Sequence, residues 1–261
     1  MVFSSLTKNR RRRLLAMPMA DEWLTYLRSN VALYASLTDL EKERLRNDLR
    51  VFIAEKNWEG CGGIIITDEI KVTVAAQACL LLLGIEHDYF SRVLSILVYP
   101  TAYRNPREHI NQDGLVEEDR TGRVGEAWYR GPVVLAWDSV LKDAREPALG
   151  RNVVLHEFAH QLDFSDGLAN GTPALRNPGQ YTKWRSVMTA EYEKLIRDSE
   201  KGRVTFLDQY GATNPCEFFA VATEAFFTLP IQIQRRHPLL YKIFSEYYGQ
   251  HPAARIPRTE Q

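Results

Sequence analysis

The chain has 261 residues, with 33 basic and 33 acidic side chains, 45% hydrophobic content and 25% charged content. A chain of this size buries a core without disulfides or a structural metal, so any metal it binds is expected to be catalytic. Its zero net charge excludes a global electrostatic footprint for nucleic acid or a membrane surface.

The first local feature is Arg10-Arg11-Arg12-Arg13, followed by Leu14-Leu15-Ala16-Met17. Pro18 and then Asp21-Glu22 end that apolar run too early for a signal peptide, and the segment reads as a basic arm entering a first helix. Thr38-Asp39-Leu40-Glu41 is a capping-box pattern, opening a helix with Leu45, Leu49, Phe52 and Ile53 on one side. Gly62-Gly63 then precede Ile64-Ile65-Ile66, which reads as a short β-branched strand. A helix is expected from about Glu69 to Leu83. Its apolar run stops at Gly84, well short of the roughly 20 residues that span a bilayer, so it reads as a core helix.

Ser95-Ile96-Leu97-Val98-Tyr99, closed by Pro100, is a second strand. Residues 103–125 are polar, with Pro106, Gly114 and Gly122, and read as a long surface loop or ragged hairpin. Trp128-Tyr129 and Val133 to Trp137 flank Gly131-Pro132 and read as a strand with a bulge or edge at Pro132. Helices follow over about Asn152 to Leu162 and Gly179 to Ser199, then from Asn214-Pro215 to before Pro230, with a last one near Pro238. Asn before Pro is a strong helix start. This order is an α+β pattern with a small mixed sheet and a mostly helical C-terminal half. No linker interrupts it. The expectation is one compact unit over 1–261, with a helical N-terminal portion to about residue 60 and the catalytic core from about 61. Cys61, Cys79 and Cys216 are odd in number and widely spaced, which points to a reducing compartment and a cytoplasmic protein.

The chemistry centres on His156-Glu157-Phe158-Ala159-His160. Residues four apart share a helix face, so His156 and His160 aim two imidazoles at one zinc ion, with Glu157 beside them as general base. Val153, Val154, Leu155 and Phe158 supply an apolar face that buries the helix. A third protein ligand is required, with a fourth position left open. Spacing alone leaves the candidates unranked. Asp166 lies six residues after His160, as in the metzincin pattern, but Asp163 stands where that pattern has its turn-permitting glycine. Glu217 is third on the helix opened by Asn214, where it also suits a capping box. Glu224, two turns on, is a back-up ligand or a partner of one. Asp163 either orients an imidazole or closes the end of its helix. Cys216 points about 100° away from Glu217 and reads as packing. His87, His109, His237 and His251 show no ligand spacing.

The segment Tyr210-Gly211-Ala212-Thr213-Asn214-Pro215-Cys216-Glu217-Phe218-Phe219-Ala220 resembles the Mlc titration factor A family of bacterial zinc peptidases. It is also similar to the corresponding part of the anthrax lethal factor protease domain. Both pair an H-E-F-x-H helix with a later Tyr-Gly-x-Thr-Asn-x-x-Glu-Phe-Phe-Ala stretch. The first resemblance continues through Ala75 to Leu82, Leu97 to Pro100, Gly125 to Trp128 and Gly131 to Val133. It implies a zincin-like fold and one Zn²⁺ per chain held by His156, His160 and Glu217. It also implies a gluzincin-type aminopeptidase with Glu157 and Tyr210 as its catalytic side chains. The implied partner besides peptides is Mlc, the glucose repressor of the sugar phosphotransferase genes. The alternative is a non-catalytic protein that sequesters this repressor, its zinc site structural or vestigial.

Overall fold

A computed structural model describes residues 5–101, 109–110, 116–117 and 131–256. The N-terminal part is helical: α1 (Ser5–Ala16), α2 (Asp21–Asn30), α3 (Ala32–Ala35) and α4 (Asp39–Glu55). The capping box forms as its residues dictate, with Thr38 Oγ1 accepting from Glu41 N and Glu41 Oε2 accepting from Thr38 N. The arginine run lies within α1, where Arg11 grips Glu55 of α4 through two bonds of 2.8 and 2.7 Å.

The chain continues through β1 (Asn57–Gly60), α5 (Asp68–Leu80), β2 (Ser95–Tyr99), an antiparallel pair β3 (His109–Ile110) and β4 (Val116–Glu117), and β5 (Val133–Ala136). The sheet of β1, β2 and β5, in that order, is wholly parallel. Against the expected mixed sheet, the described strands of this sheet are all parallel: α5 returns the chain to the starting end between β1 and β2, the crossover that parallel neighbours require. A second correction concerns Ile64 to Ile66, which form no strand. Cys61 N makes the last bond to β2, at 2.8 Å to Val98 O, and then Gly62 and Gly63 turn the chain away at φ +60 and +85. Ile64 and Ile66 pack on the core as irregular chain, while Ile65 is exposed. Trp137 opens a helix instead of closing the strand. Trp128-Tyr129 and most of the 103–125 segment lie outside the described residues.

The rest is helical: α6 (Trp137–Arg145), α7 (Val153–Asp163), α8 (Pro178–Glu200), α9 (Pro215–Thr228), α10 (Pro230–Arg236) and α11 (Pro238–Tyr248). Asn152, Asn177 and Asn214 each cap the helix that follows with a side-chain oxygen, and a proline at the first position supports the last two. Pro230 ends α9 as its ring requires, but it also opens α10, which the sequence pattern did not reveal. α9 is the central element, buried at every position from Cys216 to Thr228. Its Phe218, Phe219, Phe226 and Phe227 are almost fully buried, each stabilising by roughly 1.5–3 kcal/mol. α7 packs against α9, α5, α6 and β5. Buried apolar side chains form one cluster from Leu27 to Ala253. Among the described residues no single helix is long and apolar enough to cross a membrane; α9 and α10 together reach that length but bend by 118°.

Candidate metal centre

Helical spacing places His156 and His160 on one face of α7, where both are buried. The packing of α9 across that face brings in Glu217. His156 Nε2 and Glu217 Oε2 are 3.0 Å apart, His160 Nε2 and the same oxygen 3.3 Å, and the two Nε2 atoms 3.2 Å. Two imidazole nitrogens facing each other so closely, with a carboxylate between them, present converging lone pairs. A tetrahedral ion with bonds of about 2.0–2.2 Å sets its ligand atoms roughly 3.3 Å apart, so this triangle fits zinc. Among the described residues these three form the one group of His, Cys, Asp and Glu side chains close enough to share a metal.

The surrounding shell orients the set. His156 Nδ1 lies 2.7 Å from Glu224 Oε1, and donation through Nδ1 leaves Nε2 bare for a metal. The other Glu224 oxygen accepts from Asn152 N. Asn152 Nδ2 donates to Gln77 Oε1 at 2.6 Å, and Gln77 Nε2 to Thr73 O at 2.9 Å. A buried polar line thus runs from α5 to the metal face. Burial alone pulls the His156 imidazole down, yet Glu224 and Glu217 together hold its pKa well above the ordinary value. Burial pushes Glu217 up, but His160 and His156 outweigh it and hold the carboxyl well below the usual carboxylate range. Complete burial pushes Glu224 up, with His156 offsetting only part of that.

Asp163 acts at the junction of the two site helices. Its Oδ2 accepts from Gly171 N at 2.9 Å, and Cys216 lies beside the same carboxyl. Gly171 stands at φ +74, and a Cβ there would lie 2.3 Å from Pro215 O at the start of α9. The end of α7, this glycine and the start of α9 are therefore locked together. No bond joins Asp163 to an imidazole: its Oδ1 and His160 Nδ1 are both buried without a hydrogen-bond partner. Burial pushes the Cys216 thiol up to about 12.

Glu157 is half-exposed, while His156 and Phe158 to His160 are buried. Tyr210 lies on a short 3-10 turn, Gln209–Ala212, with its ring centre 6.1 Å from that of His156. Asp166 is exposed, bonding Leu168 N at 3.0 Å, and stands outside the ligand group. His237 pairs with Glu191 at 2.7 Å, and His87 lies 3.6 Å from Asp48. Sequence reasoning missed Asn152 and Gln77 as members of the site's polar line. The available signal was Gln77 itself, the one polar residue between Val74 and Leu83.

The family profile described as glucose-regulated metallo-peptidase M90 matches residues 6–249. The uncharacterized protein slr2042 of Synechocystis sp. is 39% identical over 245 residues, covering 93% of this chain and 89% of its own length. Mlc titration factor A of Yersinia enterocolitica is 28% identical over 251 residues, covering 93% of this chain and 90% of its own. Mlc titration factor A of Yersinia pestis is 29% identical over 236 residues, covering 88% and 86%. A metallopeptidase family implies a metal, and the geometry offers one set of residues to hold it. The chain belongs to the glucose-regulated metallo-peptidase M90 family.

Proposed function

We propose that this protein is a zinc-dependent peptidase of the gluzincin type, zincin-like in fold, acting as a single catalytic unit. The observation that carries the reading is the convergence of His156, His160 and Glu217 on one point, with half-exposed Glu157 on the same helix. A zinc ion held by His156, His160 and Glu217 would lower the pKa of a bound water and polarise a carbonyl. Glu157 takes the proton of the attacking water and passes it to the leaving amine. Tyr210, beside His156, donates a hydrogen bond to the oxygen on which negative charge develops. Glu224 keeps the His156 proton on Nδ1, so that the metal-facing nitrogen stays a ligand. Among the described residues β5 is the last strand of the parallel sheet, and an extended substrate pairs with its outer side. The activity is aminopeptidase-type on small peptides, and the free thiols Cys61, Cys79 and Cys216 suit a cytoplasmic setting.

Replacing Glu157 by Gln is the test. Peptide hydrolysis is expected to fall by about 10²–10⁴-fold with zinc content unchanged. Hydrolysis at the wild-type rate would remove Glu157 from the mechanism.

The printed name of the Yersinia relatives supports a second role, binding of an Mlc-type repressor. Binding a protein and cleaving peptides can use different surfaces, and Glu157→Gln leaves the side-chain shape in place, so this variant is expected to retain the repressor in a pull-down. Wild-type protein that fails to retain it would remove the regulatory role.

A further inference from the structure

Along α7 and the turn that follows, burial is almost complete. From Val153 to Ser165 only Glu157, Gln161 and Ser165 are half-exposed. They are spaced four apart, so they form one stripe up the helix. Gln161 and Ser165 line a cavity of about 590 Å³, a size ordinary for a ligand site. Two of its lining residues therefore lie on the side of the helix that carries Glu157, Gln161 one turn and about 6 Å along α7 from it and Ser165 about 12 Å along, on the turn that follows.

Its interior is apolar, with Leu82, Phe90, Val93, Leu162 and Tyr247 buried in the wall. Its lining carries both signs of charge in balance, Glu86 and Asp88 against Arg92 and Arg176, so it selects no net charge. The wall is also held in place. Tyr89 and Phe90 sit at φ 60 and 52, a left-handed conformation that residues with a Cβ avoid. Lys56 Nζ donates to Phe90 O at 2.6 Å, the Arg11 guanidinium lies 4.4 Å from the centre of the Tyr89 ring, and Arg92 Nη1 donates to Phe164 O at 2.8 Å. These contacts fix the wall before any ligand arrives, so little ordering cost falls on binding.

We infer that this cavity is a specificity subsite for a bulky apolar side chain of the peptide substrate. An extended peptide advances about 3.3 Å per residue, so the side chain it takes is the second to fourth from the scissile bond. The inference rests on the peptidase reading of Glu157. It also makes peptides of four or more residues better substrates than single-residue derivatives.

The test uses zinc-loaded Glu157→Gln protein and fluorescent hexapeptides in which one position at a time is Ala, Leu or Phe. Anisotropy is expected to show one position where Phe or Leu binds about tenfold or more tighter than Ala. Ala174, exposed on the rim, admits a larger side chain without disturbing the core. With Ala174→Trp the Phe-to-Ala ratio is expected to fall toward one, and Ser165→Trp, at a second lining position, to do the same. Equal binding of Ala and Phe at every position, no peptide binding, or an undiminished ratio in both folded tryptophan variants would overturn the subsite. Cleavage is read separately with the wild-type enzyme. If it cleaves no member of the set with zinc present, the peptidase reading fails, and the binding ratio still decides the cavity.

Discussion

Two clusters of buried charge in this protein look alike in composition and differ in kind. Around α7 and α9, His156 meets Glu224 at 2.7 Å and Glu217 at 3.0 Å, and a second imidazole closes the set. Beneath α1, Asp48 and Lys56 are also buried, with half-buried His87 beside them. There His87 and Asp48 stand 3.6 Å apart, His87 Nδ1 and Asp48 Oδ2 have no hydrogen-bond partner, and the Lys56 ammonium bonds the carbonyl of Phe90. The first cluster aims several lone pairs at one point. The second spends its one strong bond on a strained backbone. Buried His and acidic residues together do not make a metal site; convergence of their ligand atoms does.

The largest expected effect is on metal content. His160→Ala removes one of the three proposed ligands, and zinc after dialysis is expected to fall from one per chain to none, read by elemental analysis. His87→Ala in the second cluster is expected to leave it at one. If both variants kept their zinc, the contrast between the clusters would collapse.

Next comes the second sphere. Glu224→Gln keeps the shape but removes the charge behind His156, and zinc affinity in a chelator competition is expected to weaken about 10–100-fold. Asp48→Asn serves as the matched control, with no change expected.

A smaller effect tests the junction that holds the first cluster. Gly171→Ala drives a Cβ into Pro215 O and strains a positive-φ position, costing about 1–3 kcal/mol. At roughly 2–4 °C per kcal/mol, Tm of the metal-free protein is expected to drop by several degrees. An unchanged Tm would show that the junction yields without cost.

The smallest effect belongs to the second cluster. Burial pushes Lys56 down to about 8 from an ordinary 10.5. Between those values the unfolded chain holds the extra proton, so this group makes stability rise with pH; below pH 8 both states hold it and the contribution is flat. Against wild type, Lys56→Met is expected to flatten urea-derived stability between pH 8 and 9.5 by about 1 kcal/mol per pH unit. A parallel pair of pH profiles would mean that the ammonium is better solvated than its burial implies.

Where the determinants are local, the amino-acid pattern already contains the answer. The capping box at Thr38, the asparagine caps of α7, α8 and α9, and the i, i+4 histidines are settled within one or two helical turns. Hydrophobicity alone misplaced the strand at Ile64 to Ile66. Three branched residues read as a strand, yet the sheet is joined at Asn57 to Gly60, where pairing with β2 and the turn at Gly62-Gly63 decide.

The ligand set divides along the same line. The sequence by itself determined that one helix carries two imidazoles on one face with an acid beside the first, because helical geometry needs no information from elsewhere. It left the third ligand open between Asp166 and the α9 carboxylates, and a family resemblance, not spacing, favoured Glu217. Only the tertiary structure decided that Glu217 reaches both Nε2 atoms while Glu224 stands behind His156. Those distances depend on how α9, buried at nearly every position, lies across α7, and a contact between elements more than fifty residues apart has no periodicity to read.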